Sequence, residues 1–187
     1  MSQVRSVAVV VGSLRKDSVS RKLAKAFAAL NPQLAFNIVE IGDLALFDQD
    51  LESDPPVPWV RLRAEITAAD AVLFVTPEYN RSVPGVLKNA LDVGSRPYGS
   101  SAWDGKPGAV ISVSPGAVGG FGANHHLRQS LVFLNVPLLS REAYVGNAFA
   151  LFDDAGQLTN AGTADFLRAY GQAFTLWIDK IIGSPPG

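Results

Sequence analysis

Short apolar runs and amphipathic segments alternate along most of the chain. Residues 7–11 read V-A-V-V-V and residues 71–75 read A-V-L-F-V, with no polar residue in either run. Runs without polar alternation are typical of parallel strands that are covered on both faces. The pattern predicts strands at residues 7–11, 36–41, 71–75, 108–113 and 137–139, the last of which can extend to residue 145.

Apolar residues between these runs recur at the helical period. Leu23, Phe27 and Leu30 have the i, i+4 and i+7 spacing of a helix that buries one face. Further helices are predicted around residues 59–69, 83–91, 127–134 and 166–181. Ser82 is the predicted N-cap of the second of these, with Pro84 in its first turn. Residues 184–187 are predicted to form a frayed tail.

Strand and helix alternate five times, which predicts an α/β fold with one parallel sheet and helices on both faces. The 187 residues suit a single domain that spans the whole chain, 1–187. Ligands of such sheets bind beyond the carboxyl ends of the strands. The loops that follow the first, third and fourth strands are therefore expected to meet at one site.

The loop after the first strand carries Ser13, Arg15, Ser18 and Ser20 and leads into a helix. Free backbone N–H groups and the positive end of the helix dipole favour an anion there. Hydroxyls and a guanidinium suit a phosphate with several acceptor oxygens. The alternative is that the serines only cap the helix. Because the loop lacks the known nucleotide-binding glycine patterns, a monophosphate ester fits better than a dinucleotide.

The other two loops are suited to a flat ligand. Pro77 and Pro84 bracket a stiffened loop in which Tyr79 offers a stacking face and Asn80 a paired donor and acceptor. After the fourth strand, glycines such as Gly116, Gly119 and Gly120 allow close approach of the backbone to a ring. A proline-stiffened turn and a flexible surface loop are the alternatives. Together the three loops predict flavin mononucleotide (FMN), a monophosphate joined to a planar heterocycle.

Composition narrows the function classes further. The net charge is −1 without a basic stripe, so no nucleic-acid partner is expected. We expect no membrane span and no signal peptide, and hence a cytoplasmic protein. The chain contains no cysteine, so a cofactor must carry any redox chemistry. His125 and His126 are adjacent and point about 100° apart on a helix, so no metal site is expected.

Three motifs resemble the NADPH-dependent FMN reductase family, and within it the bacterial quinone and chromate reductase branch. They are G-S-L-R-K-D-S at residues 12–18, T-P-E-Y-N at 76–80 and S-V-P-G-V-L-K-N-A-L-D at 82–92. The resemblance implies a flavodoxin-like three-layer sandwich with sheet order 2-1-3-4-5. It also implies bound FMN, NADPH or NADH as co-substrate, and a homodimer that can pair into a tetramer.

The resemblance also implies roles for individual residues. FMN carries the chemistry, so no catalytic side chain is expected. Residues 46–48 resemble the segment presented at the partner subunit's flavin, which places Phe47 on the substrate side together with Arg81. The predicted cofactor-binding residues are Ser13, Arg15, Ser18, Val19 and Ser20 at the phosphate, Pro77, Glu78, Tyr79 and Asn80 beside the isoalloxazine, and Ser114, Gly116 and Gly119 on its other side.

Two residues depart from the family pattern. Ser20 stands where Asn is common, and Arg81 stands where an aromatic residue is often found. Arg81 either attracts the phosphates of the nicotinamide cofactor or an anionic acceptor, or pairs with a carboxylate across the dimer. The implied activity is hydride transfer from NAD(P)H through FMN to quinones, flavins, azo compounds or chromate. The alternatives are a flavodoxin-type electron carrier and, more remotely, a regulatory domain that binds phosphate.

Overall fold

A computed structural model describes residues 4–183. Five parallel strands form one sheet in the order β2-β1-β3-β4-β5, which confirms the predicted topology. The strands are β1 (Arg5–Val11), β2 (Leu34–Val39), β3 (Ala71–Thr76), β4 (Gly108–Val113) and β5 (Ala143–Val145).

Helices cover both faces of this sheet, and two apolar cores lie between the layers. Helices α1 and α5 pack on one face, and α2, α3 and α4 pack on the other. The helices are α1 (Val19–Leu30), α2 (Val57–Ala68), α3 (Gly85–Gly94), α4 (Phe121–Phe133) and α5 (Ala161–Ile182), and short 3-10 helices cover Gln49–Ser53 and Ala148–Ala150. Within residues 4–183, the longest apolar stretches of helix fall short of what a membrane crossing needs.

Helix α1 forms where the sequence pattern predicts it. Ser18 has an extended backbone and its hydroxyl accepts a hydrogen bond from the Arg21 N–H at 3.2 Å, so it is the N-cap. Leu23 and Phe27 are fully buried against the sheet, and Asn31 ends the helix. The capping places the start of α1 directly after the loop that leaves β1.

The fifth strand begins six residues later than the sequence predicts, at the far end of the possible extension to residue 145. Leu138 makes only an isolated bridge to Gly108, and regular pairing with β4 begins at Ala143. The guanidinium of Arg128 donates hydrogen bonds to the carbonyl oxygens of Leu139 and Arg141, at 3.1 and 2.9 Å. This segment therefore bonds to a side chain of α4 instead of continuing the ladder.

Ser82 is not the N-cap of α3, contrary to the prediction. Its backbone pairs with Tyr79 in a tight hairpin, and Pro84 occupies the N-cap position without a side-chain hydrogen bond. Strand β2 also starts and ends two residues earlier than predicted. The predicted frayed tail, residues 184–187, lies outside the described residues.

Candidate functional site

A cleft of about 250 Å³ opens at the carboxyl ends of β1, β3 and β4. The sheet order makes these strands neighbours, and the N–H of Gly12 donates to the Val75 carbonyl at 2.9 Å, which holds the first two exit loops together. The lining residues are Ser13, Arg15, Val19, Ser20, Pro77, Glu78, Tyr79, Val113, Ser114, Pro115, Ala148 and Phe149.

The hydroxyl groups of two largely buried serines open onto one end of the cleft and have no partner within the described part of the chain. Ser13 is 5% exposed and Ser20 is 2% exposed. Within residues 4–183, neither hydroxyl takes part in a hydrogen bond. Neither oxygen is among the fully buried, unpartnered side-chain atoms of the described residues, so both hydroxyls are accessible from the cleft and can bond to a ligand there. Ser18 differs, because its hydroxyl already caps α1 and it does not line the cleft.

Backbone N–H groups at this end of the cleft also lack partners within their helix. The N–H groups of Val19 and Ser20 belong to the first turn of α1, so neither has a partner within the helix. Arg15 is exposed, lines the cleft and forms no ion pair within the described part of the chain. Free N–H groups, two hydroxyls and an unpaired guanidinium are the donor set that a phosphate monoester requires.

The loop after β3 forms a two-residue hairpin. The Tyr79 N–H donates to the Ser82 carbonyl and the Ser82 N–H to the Tyr79 carbonyl, both at 3.0 Å. Asn80 and Arg81 have positive φ values of 51° and 63°, as a type I′ turn requires. The hairpin presents Tyr79 to the cleft with 47% of its surface exposed, whereas Asn80 and Arg81 lie at the tip outside the lining.

Glu78 lines the cleft, but its carboxylate is engaged within the protein. One oxygen accepts from the Ala123 N–H at 3.1 Å, and the other lies 3.2 Å from the Arg81 guanidinium. Within the chain, Arg81 therefore pairs with the carboxylate of Glu78.

The loop after β4 contributes Ser114 and Pro115 to the cleft. Gly116 and Gly119 do not line it. Gly119 has a φ of +64°, and a Cβ there would lie 2.8 Å from the backbone of β5, so this glycine serves close packing. Ala148 and Phe149 line the cleft instead, from a 3-10 helix after β5 that the apolar pattern does not reveal.

Phe47 lies away from the cleft. Its ring stacks on Trp59 with centroids 5.6 Å apart, and its N–H donates to the Asn89 side chain at 2.8 Å. The Arg96 guanidinium lies 5.7 Å from the centre of the same ring. Leu46 is the exposed apolar residue of this segment, at 79%.

The two adjacent histidines of α4 have separate partners. His125 Nε2 lies 3.0 Å from the Tyr144 hydroxyl, and His126 Nδ1 lies 3.0 Å from the Ser82 hydroxyl. Burial and the neighbouring Glu142 raise the pKa of Tyr144 to about 12. Tyr144 is therefore neutral at physiological pH.

Comparison with known proteins identifies the family. The model of NADPH-dependent FMN reductases matches residues 5–150. The chain belongs to this family. A quinone reductase of Pseudomonas putida is 64% identical over 181 residues, which cover 95% of this chain and 97% of that protein. A 2-hydroxy-1,4-benzoquinone reductase of a Burkholderia species is 44% identical over 174 residues, or 92% and 95% of the two chains.

A solved structure supports the same assignment. The flavoenzyme NAD(P)H:(acceptor) oxidoreductase FerB from Paracoccus denitrificans matches with a TM-score of 0.90 and 44% identity, over 95% of this chain and 99% of that one. Family membership confirms the predicted flavodoxin-like fold and an oxidoreductase that uses FMN and a reduced nicotinamide. The donors of the cleft fit this cofactor, since two hydroxyls without partners within residues 4–183, free N–H groups and a guanidinium lie together at the N-terminus of α1, where a phosphate can bind.

Proposed function

We propose that this family member is an NAD(P)H:quinone oxidoreductase that binds FMN in the cleft described above, within one domain spanning residues 1–187. The observation that carries the proposal is the pair of cleft-lining serines, Ser13 and Ser20, whose hydroxyls open to the cleft without a hydrogen-bond partner within residues 4–183. The similarity to quinone reductases at 64% and 44% identity supports quinones as the acceptors.

The side chains of the cleft bind FMN and orient it. Ser13, Ser20 and Arg15 hold the phosphate together with the free N–H groups of Val19 and Ser20. When bound, FMN supplies the hydride and electron chemistry, for which the cleft offers no side chain of its own. The backbone of the Tyr79 hairpin offers a rigid edge, so little ordering is needed on binding.

The remaining predicted site residues are proposed in narrower roles. Ser18 shapes the phosphate end by capping α1, and Asn80 lies at the open rim of the cleft. The Arg81 side chain is 82% exposed, so its guanidinium can approach an anionic nicotinamide cofactor while it pairs with Glu78. Gly116 and Gly119 shape the loop that presents Ser114. Phe47 supports the segment whose exposed residue, Leu46, could reach a partner subunit.

Further proposals concern acceptors, assembly and location. Chromate, azo compounds and free flavins are proposed as additional acceptors, because an open cleft lined partly by exposed Tyr79 and Phe149 places few limits on acceptor shape. A homodimer, paired into a tetramer, is supported by exposed Phe133 and Val132 on α4, at 88% and 67%. A cytoplasmic location is proposed because reduced nicotinamides are held inside the cell.

Steady-state kinetics of the purified protein test this function. We expect a yellow protein that oxidises NADPH or NADH when a quinone is supplied. A colourless protein that takes up no added FMN would end the proposal. A yellow protein that exchanges electrons but turns over neither nicotinamide would instead be a flavodoxin-type carrier, which the near-neutral net charge does not favour.

A further inference from the structure

Glu78 connects the Tyr79 hairpin to the first turn of α4. Its carboxylate accepts from the Ala123 N–H at 3.1 Å and lies 3.2 Å from the Arg81 guanidinium. Only 13% of the Glu78 side chain is exposed, against 82% for Arg81. Because exposed ion pairs contribute little, Ala123 is the partner that fixes the carboxylate.

Helix α4 has no side-chain cap at its own N-cap residue, and Glu78 supplies one. The N-cap residue is Gly120, which has no side chain and adopts a left-handed φ of +76°. Ala123 is the third residue of the helix, so its N–H has no partner in the preceding turn. The negative charge of Glu78 also suits the positive end of the helix dipole. Glu78 thus caps α4 from 45 residues earlier in the chain.

The hairpin lies directly on the helix at Gly122. A Cβ at this position would lie 2.7 Å from the Arg81 carbonyl oxygen and 2.9 Å from a Glu78 carboxylate oxygen. Real Cβ atoms do not approach other atoms so closely, so the hairpin would have to move. A second contact, between Ser82 and His126 at 3.0 Å, holds the far side of the hairpin on the same helix.

We propose that Glu78 is a positioning residue, which sets the Tyr79 hairpin against the cleft by capping α4, and that Gly122 permits the close approach. The inference rests on the proposed function, because it concerns the edge of the FMN cleft. Asn80 tolerates its left-handed conformation, but the same conformation is intrinsically unfavourable for Arg81. The cap offsets that cost, so the hairpin is ordered before ligands bind.

Four variants separate positioning from direct contact. Glu78→Ala removes the acceptor, and Gly122→Ala forces the hairpin off the helix. We expect each to lower kcat/KM for a quinone and to weaken FMN binding by the apoprotein about tenfold. Glu78→Gln retains an oxygen that accepts from Ala123, so it should stay within about threefold of wild type. Gly85→Ala is the matched control, because its new Cβ would meet nothing within 4 Å.

Hydrogen exchange of the Ala123 amide in the apoprotein gives a measurement that does not depend on FMN. Exchange should be about tenfold faster in Glu78→Ala than in wild type or Glu78→Gln. Equal impairment by Glu78→Gln and Glu78→Ala would overturn the positioning role, since charge alone would then act. An unchanged exchange rate of the Ala123 amide in Glu78→Ala would overturn the proposal that Glu78 caps α4, without affecting the proposed function. A wild-type protein that binds no FMN would overturn the proposed function.

Discussion

At the scale of single residues, the end of the cleft proposed to bind phosphate depends on donors that have no partner within residues 4–183. Within residues 4–183, the hydroxyls of Ser13 and Ser20 have no hydrogen-bond partner and the exposed Arg15 forms no ion pair. The sequence predicts this group of residues because they surround a strand-to-helix junction. It does not separate Ser18 from them, since a capping serine and a ligand-binding serine look alike until the geometry of α1 is known.

Arg15→Ala tests the phosphate end. We expect FMN to bind about tenfold more weakly, and the loss to exceed that of Tyr79→Ala, because a charge-assisted hydrogen bond is removed. Fluorescence titration of the apoproteins measures both dissociation constants. Lys16→Ala is the control, because it removes the same charge from the same loop outside the cleft. Equal dissociation constants for wild type and Arg15→Ala would contradict the assignment.

Asp70 gives a prediction about pH. Burial raises its pKa, but hydrogen bonds from the Ser6 N–H and hydroxyl, at 2.8 and 2.9 Å, and the charge of Arg5 outweigh burial and hold the pKa below its ordinary value. A carboxylate with a lowered folded-state pKa stabilises the protein above its unfolded-state value, about 3.9. That contribution is lost as the pH falls through the folded-state pKa.

Asp70→Asn should therefore lower the free energy of unfolding by about 1 kcal/mol at pH 7, with a difference that shrinks below about pH 4. Urea unfolding at a series of pH values measures this dependence. Asp154→Asn should leave the profile unchanged, because the exposed Asp154 side chain makes no hydrogen bond within residues 4–183. A difference that persists undiminished at pH 2 would argue against the linkage.

At the scale of elements, α1 and α5 are joined by one buried amide. Asn31 ends α1 and donates to the carbonyl oxygens of Phe27 and Leu167 at 2.8 and 3.4 Å. The approach is possible only because residue 171 of α5 is glycine, since a Cβ there would overlap the Asn31 side chain. This contact fixes α1, whose first turn binds the phosphate in the proposed function.

Gly171→Ala should lower the free energy of unfolding by about 2 kcal/mol, although alanine favours a helix, because the overlap displaces a hydrogen-bonded amide. Chemical denaturation measures the change. Gly162→Ala in the same helix should be neutral or slightly stabilising, since its Cβ would lie 3.6 Å from the nearest atom. The double variant with Asn31→Ala should lose less stability than the two single losses added together. Strict additivity would show that the two positions do not interact.

The helices and strands also show how much of the fold the sequence predicts. Periodicity predicts the strands and helices that build the cleft, because these follow from local apolar spacing, whereas the strand order is implied by the family resemblance. Periodicity fails where a distant partner decides: Arg128 redirects the chain before β5, and Glu78 caps a helix 45 residues away. Phe149 is likewise found only from the structure, because a single aromatic residue in a loop has no periodic neighbours.

At the scale of the whole molecule, one sheet is shared by two separate apolar cores. Leu23 on α1 and Leu62 on α2 are both fully buried, on opposite faces of that sheet. Because strands β1 and β3 supply side chains to both cores, loss of either core removes support from the other. The molecule is therefore expected to unfold as one cooperative unit, in agreement with the single domain proposed for residues 1–187.

Leu23→Ala and Leu62→Ala test this cooperativity. Each should lower the free energy of unfolding by about 2–5 kcal/mol, because each leaves a cavity in a packed core. The two losses should add in the double variant, since the sheet separates the sites and they share no partner. Urea unfolding of the apoprotein, followed by tryptophan fluorescence and by circular dichroism, should give one coincident transition for every variant. Two separate transitions, with each variant shifting only one of them, would show that the faces unfold independently.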